Sequence, residues 1–121
     1  MAKIYRTFKN NIKHWFQKQT RGWSDNETWN LDYEFIKWIN SRFKRYKEVA
    51  SNIVDLEFHK FKYKRKEYTQ LELINKIIEL SDEIINEDIW FSYDTTTCKK
   101  KEKNKNEIFE IFKLIFWSMW W

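Results

Sequence analysis

Apolar residues recur at helical spacing in four separate stretches of this chain. Between residues 3 and 19, Ile4, Phe8, Ile12, Trp15 and Gln19 follow one another at intervals of four and three, and Phe16 widens the stripe. Lys3, Arg6, Lys9, Lys13 and Lys18 occupy the remaining positions. This spacing predicts an amphipathic helix with a basic outer face. So small a domain needs the stripe to close its core, so burial is expected. A helix lying on a membrane surface is the alternative for the same pattern. Gly22 suits the left-handed conformation that ends a helix. Ser24-x-x-Glu27 then matches a capping box, in which serine and glutamate side chains satisfy each other's amides. A second helix is expected from about Asp25 to Ala50. Ile36, Ile39, Phe43, Tyr46 and Ala50 form one seam, with Leu31, Phe35 and Trp38 beside it.

Residues 51–68 mix Val54, Leu56, Phe58, Phe61, Tyr63 and Tyr68 with Lys60, Lys62, Lys64, Arg65 and Lys66. They are expected to form a basic, aromatic connection, with a short extended segment open between Leu56 and Tyr63. Thr69-x-x-Glu72 is a second capping box. A third helix follows from about Gln70 to Phe91, with Glu79, Asp82, Glu83, Glu87 and Asp88 on its polar face. The lysine-rich stretch from Tyr93 to Asn106 is expected to be a mobile loop. The last helix starts near Asn104 to Asn106, runs to the end, and has almost no polar face. Such a helix is central or lies in an interface, so a homo-oligomer through this C-terminal aromatic helix is expected. The fold expectation is all-α: a small bundle of about four helices in a single domain, 1–121, with 51–68 irregular or extended.

Composition sharpens this picture. Proline is absent and glycine occurs once, so the usual punctuation of sheets and tight turns is missing. Aromatic residues make up 20% of the chain, more than a core of this size needs, which points to rings at a binding surface. The net charge of +5 favours anionic partners, tempered by 18 acidic residues. Cys98 stands alone, so no intramolecular disulfide is available, and a reducing compartment is expected. No run approaches the length of a membrane span. The expectation is a soluble intracellular chain with no membrane partner.

Catalytic equipment is missing from the sequence. His14 and His59 lie on different segments, and no Cys-x-x-Cys or His-x-x-x-His spacing occurs. Asp82, Asn86 and Glu87 could approach one magnesium ion, but a solvated or salt-bridged face is the expected reading. Cys98 lies among lysines that would lower its thiol pKa, yet in an expected loop. One glycine cannot build a phosphate-cradling loop. No catalytic residue, metal site or cofactor is therefore expected, and the chain does not read as an enzyme. Binding chemistry is better represented. Arg21 and Trp23 flank a turn that enters a helix N-terminus, where amides and guanidinium could hold a phosphate and the indole could stack on a base. Arg42 and Arg45, with Lys44 and Lys47, add a basic patch interleaved with Phe43 and Tyr46. Each has a structural reading that weighs against it: Trp23 packing against Thr28 or nearby groups, which is preferred over stacking, Arg21 bridging to Asp25 or Asp32, and the patch as a solvated face. Trp29 and Trp38 are expected in the core.

Arg21-Gly22-Trp23-Ser24-Asp25, then Thr28-Trp29, Leu31-Asp32 and Arg42-Phe43-Lys44-Arg45-Tyr46-Lys47-Glu48 resembles a family of small bacteriophage and prophage proteins. The likeness covers residues 1 to about 48; beyond them only the order and character of the elements agree. The chain departs from the pattern in having Ser41 where the family has proline, and in lacking an Asn-Gly-Tyr-Pro-like turn after the second helix and a glycine at the start of the last. The resemblance implies a phage origin and a host-cytoplasm setting, and brings no catalytic residues with it. Some small phage proteins sequester the nucleotide messengers of host antiviral defence. The leading expectation is such a non-catalytic binder of an anionic nucleotide-type small molecule, with Arg21, Trp23, Arg42 and Arg45 as ligand-binding residues. The alternatives are a protein-protein inhibitor of a host defence protein and a nucleic-acid-binding module.

Overall fold

The computed structural model describes residues 2–28, 30–86 and 93–120, with side chains for all of these except residues 2–6, 26 and 27. The chain divides into two compact units, Met1–Phe35 and Ile36–Trp121. The described residues form helices α1 (Ala2–Arg21), α2 (Leu31–Ala50), α3 (Gln70–Ile85) and α4 (Thr95–Ile115), and strands β1 (Lys60–Tyr63) and β2 (Lys66–Thr69). The protein is mostly helical but not strictly all-α, because the connection at 51–68 carries a β-hairpin.

In the first unit, α1 ends where Gly22 turns to φ +83° and its amide reaches back to the Lys18 carbonyl at 3.0 Å. The expected second-helix start at Asp25 is corrected. Asp25–Thr28 is a single 3₁₀ turn, and the α-helix begins at Leu31. Thr28 Oγ1 donates to the Asp25 carbonyl at 2.6 Å, closing that turn on itself rather than propagating it. The Glu27 side chain, half of the expected capping box, lies outside the described residues, as do Trp29 and the expected stretch of the third helix from Glu87 to Phe91. The stripe of α1 is exposed at its described positions: Phe8, Ile12, Trp15 and Phe16 are 52–63% accessible.

The second unit holds the core. Ile36, Ile39, Phe43 and Ala50 of α2 meet Leu73, Ile74, Ile77 and Ile84 of α3 and Ile108, Ile111 and Ile115 of α4, with Leu56 and Tyr63 at its edge. Each fully buried Ile or Leu contributes roughly 1.5–3 kcal/mol. Among the described residues, every buried hydrophobic side chain lies within residues 36–115. Only one seam of α2 enters the core. Leu31, Phe35 and Trp38 on the adjoining seam are exposed, which corrects the assignment of Trp38 to the core.

The hairpin pairs β1 with β2 antiparallel, Lys60 opposite Thr69 and Tyr63 opposite Lys66. Its two-residue turn places Lys64 and Arg65 at φ +51° and +67°, the left-handed pair that favours Asn-Gly. That choice of residues hid the hairpin. It is held instead by tertiary contacts: Lys64 pairs with Glu107 at 3.0 Å and the Tyr63 hydroxyl donates to Glu110 at 3.2 Å. Thr69 ends β2 and is also the N-cap of α3, in the expected capping box with Glu72.

The expected loop at Tyr93–Asn106 is also corrected: α4 runs helical from Thr95. Its polar side meets the acid of α3 at Glu83. Lys100 approaches Glu83 at 3.8 Å, Asn104 Nδ2 donates to Glu83 at 2.6 Å, and Lys105 pairs with Glu102 at 2.7 Å within the helix. A second polar brace ties α2 to α3: Asn40 Nδ2 donates to Ser81 Oγ and Asp82 Oδ1, both at 2.9 Å.

Candidate functional site

In the first unit, the Arg21–Trp23 turn is built as a latch. The Arg21 guanidinium carbon sits 3.8 Å from the centre of the Trp23 ring, Nε donates to the Trp23 carbonyl at 3.0 Å, and Nη2 pairs with the Asp25 carboxylate. Gln17 Nε2 donates to the same carboxylate at 2.8 Å, its Oε1 accepts from the Asp25 amide at 2.8 Å, and Lys13 approaches at 3.4 Å. The Gln17 and Arg21 hydrogen bonds hold the Asp25 carboxyl down at about 2. Of the two roles open to Arg21, the bridge to Asp25 is present, so the carboxylate stands where a ligand phosphate would bind. The expected amide-lined α-helix N-terminus is absent from this turn, since α2 begins at Leu31, eight residues beyond Trp23. Its first turn carries Asp32 and Glu34, which repel an anion.

The second unit presents a cleft of about 330 Å³ between α2, α4 and the short 3₁₀ turn Phe116–Ser118. Trp38, Arg42 and Tyr46 follow at i, i+4 and i+8 on one side of α2, with Phe43 at its floor and Phe112, Phe116 and Met119 opposite. Volumes of about 300–1,000 Å³ are usual for small-ligand pockets. Phe112 meets Phe43 edge-on at 5.9 Å and Phe116 at 5.3 Å, fixing the aromatic wall. The Arg42 guanidinium lies 5.5 Å from the centre of the Trp38 ring and donates to Ser41 Oγ at 3.2 Å. Among the described residues no carboxylate pairs with it. At the far end the Tyr46 hydroxyl donates to the Trp120 carbonyl at 3.2 Å. Burial raises its pKa above the ordinary tyrosine value.

The other predicted positions fall outside this cleft. Arg45 is exposed and pairs with Glu48 at 3.1 Å, and Lys44 is held by Asp82 at 2.9 Å, so much of the basic patch is neutralised locally. Asp82 is further engaged by Asn40, and no metal-binding cluster of His, Cys, Asp and Glu occurs among the described residues. Cys98 is exposed in the first turn of α4, not in a loop. The N-terminus of α3 has no amide to offer an anion. Those of Gln70 and Leu71 bond the carbonyls of His59 and Leu56, both at 3.0 Å, and that of Glu72 bonds Thr69 Oγ1. Two further clefts, of about 260 and 410 Å³, carry Asp55 and no Lys or Arg. The aromatic wall of Phe112 and Phe116 escaped sequence reasoning because it lies some seventy residues from Arg42. The available signal was the i, i+4 spacing of Trp38 with Arg42, which places a guanidinium beside an indole.

Comparison with protein-family models, curated proteins and solved structures yields no match for this chain.

Proposed function

We propose that the chain is a non-catalytic binding protein for a nucleotide-type anion, taken up in the Trp38–Arg42–Phe112–Phe116 cleft. The observation that carries this reading is Arg42: a guanidinium beside an indole, at the rim of an aromatic slot, without a carboxylate partner among the described residues. A base would enter between Trp38 and Phe116, and Arg42 would hold the phosphate. The likeness of residues 1–48 to small phage proteins gives this binding a purpose: sequestering a nucleotide messenger of host antiviral defence in the host cytoplasm. The Arg21–Trp23 turn would take part only after its guanidinium leaves Asp25.

The test is native mass spectrometry of protein from phage-exposed, defence-positive cells, followed by calorimetric titration of the released compound into wild type, Arg42→Ala and Trp38→Ala. A bound nucleotide is expected. Loss of one charge-assisted contact of about 1.5–3 kcal/mol would weaken binding roughly 10- to 150-fold. A clean protein mass, or equal affinity in both variants, sinks this assignment.

A second reading has its own support: Phe109, Leu114, Phe116 and Trp117 leave an exposed apolar surface along the end of α4. That surface suits a host defence protein or a second copy of the chain. A stoichiometric protein partner in a pull-down, or a dimer by light scattering that Trp117→Ser dissolves, would establish it.

A further inference from the structure

Two observations about α1 go beyond nucleotide binding. The first is its stripe. Phe8, Ile12, Trp15 and Phe16 are 52–63% accessible, and on a helix of 3.6 residues per turn they fall within an arc of about 100°. Because the described buried hydrophobic residues all lie within residues 36–115 and the stripe is exposed, the reason for assigning it to a core no longer holds. The second is charge. Of the 23 Lys and Arg residues, six lie in α1, while none of the 18 Asp and Glu do. The helix therefore carries +6, and the rest of the chain sums to −1. The protein owes its basic character to one helix of 20 residues.

We propose that α1 docks on an anionic lipid surface, with Phe8, Ile12, Trp15 and Phe16 at the acyl boundary and the cations among the headgroups. A narrow apolar face set against a strongly polar one, with lysines beside an aromatic stripe, marks helices that lie in the interface plane. Lys9 and Lys18 flank the two sides of the stripe on the helical wheel, where long stems reach up to headgroups while their methylenes cover apolar surface. Trp15 is suited to the boundary, apolar in its ring and polar at its N–H. The helix lies on the bilayer rather than crossing it: among the described residues no helix is long and apolar enough to span. Face-to-face pairing of two copies of α1 would set +6 against +6 with no carboxylate between them. A nucleic acid would leave the aromatic stripe unburied. Asp25 draws on Lys13 and Arg21 at the helix end, so Lys9 and Lys18 are the better cations to test.

The full chain is sedimented with phosphatidylcholine vesicles and with phosphatidylcholine–phosphatidylserine vesicles. Binding to the serine-containing vesicles alone is expected, falling as salt rises. Each cation near such a surface contributes about fivefold to partition, so Lys9→Gln with Lys18→Gln should lower it about 25-fold. Trp15→Ser with Phe16→Ser should abolish it while the urea midpoint of the second unit stays put, which separates lost docking from lost folding. Absence of binding at low salt overturns the proposal, as does partition unchanged by either pair of substitutions. A wild-type dimer by light scattering that Trp15→Ser with Phe16→Ser makes monomeric, with no vesicle binding, would assign the stripe to protein contact instead. Nucleotide affinity in this double variant should equal that of wild type, so the outcome is read independently of the cleft.

Discussion

Replacing Asn40 by Asp exchanges one nitrogen for an oxygen of nearly the same size, and the structure makes that exchange expensive. Asn40 is 7% exposed. Its Nδ2 donates at 2.9 Å to Ser81 Oγ and at 2.9 Å to the Asp82 carboxylate. A neutral hydrogen bond contributes about 0.5–1.5 kcal/mol and one to a charged group about 1.5–3, so both variants without the donor forfeit roughly 2–4 kcal/mol. Asn40→Ala stays near the lower figure, because Ser81 Oγ still donates to the Ile77 carbonyl and Asp82 keeps Lys44. Asn40→Asp adds a carboxylate facing Asp82, with Lys44 as partial relief. Burial and the like charge raise the pKa of the introduced group, and each unit costs about 1.4 kcal/mol at neutral pH. The expected order is wild type, then Ala, then Asp, with Asp about 1–3 kcal/mol below Ala at pH 7. The sign with pH follows from the raised pKa. The extra penalty is complete above the folded-state value, shrinks as pH falls toward the unfolded value near 4, and disappears below it, where both states are protonated. Urea unfolding at pH 7 and about pH 5 measures this directly. An Asp variant as stable as Ala at pH 7, or a gap between them that does not narrow at pH 5, would refute the reasoning.

Arg65→Gly should stabilise the second unit by about 0.5–1 kcal/mol. Relief of left-handed strain of roughly 1–2 kcal/mol outweighs the entropy glycine adds to the unfolded chain, and a lower urea midpoint would contradict it. Asp25 should titrate near 2 by carboxyl NMR. Because its folded pKa lies below the unfolded value of 3.8, the latch contributes in full above that value and is lost as pH falls from about 4 to 2; an ordinary titration would show it is not formed. Asp25→Asn should free Arg21 and strengthen phosphate binding at that turn, seen as phosphate-induced shifts of the Arg21 side-chain resonances that wild type lacks. Ile77→Ala should cost about 2–5 kcal/mol in thermal or urea unfolding, whereas Trp15→Ala should change the midpoint of the second unit by less than about 0.5 kcal/mol; similar losses in both would place α1 in the core after all.

Periodicity exposed those elements whose stability is local. The box Thr69–Glu72 marked the first residue of α3, and the seam from Ile36 to Ala50 marked the end of α2. Elements stabilised from outside themselves were hidden. The first turns of α4 read as a lysine loop because their support is Glu83, on another helix. The hairpin had no glycine or asparagine at its turn, since Glu107 and Glu110 hold it in place. The same division applies to the site. Arg42 stood out by charge and Arg21 by its neighbours, but which of them meets a carboxylate is decided by geometry, and the cleft's second wall comes from the far end of the chain. The exposed stripe of α1 could not be foreseen, because a pattern of apolar positions states that a face wants cover and not what covers it.

Thr69 closes the hairpin against Lys60 and caps α3 through Glu72, with no linking residue between strand and helix. The two elements therefore have no hinge. Unzipping the outer end of the hairpin strips the cap from α3, and fraying the first turn of α3 withdraws the last rung of the hairpin. Local opening here is one cooperative event, so the amides of Phe61, in the pair with Tyr68, and of Glu72 should exchange with deuterium at a shared, slow rate. The amide of Gln70, bonded to the His59 carbonyl, should join them, and the α3 start should behave in hydrogen exchange as part of the sheet.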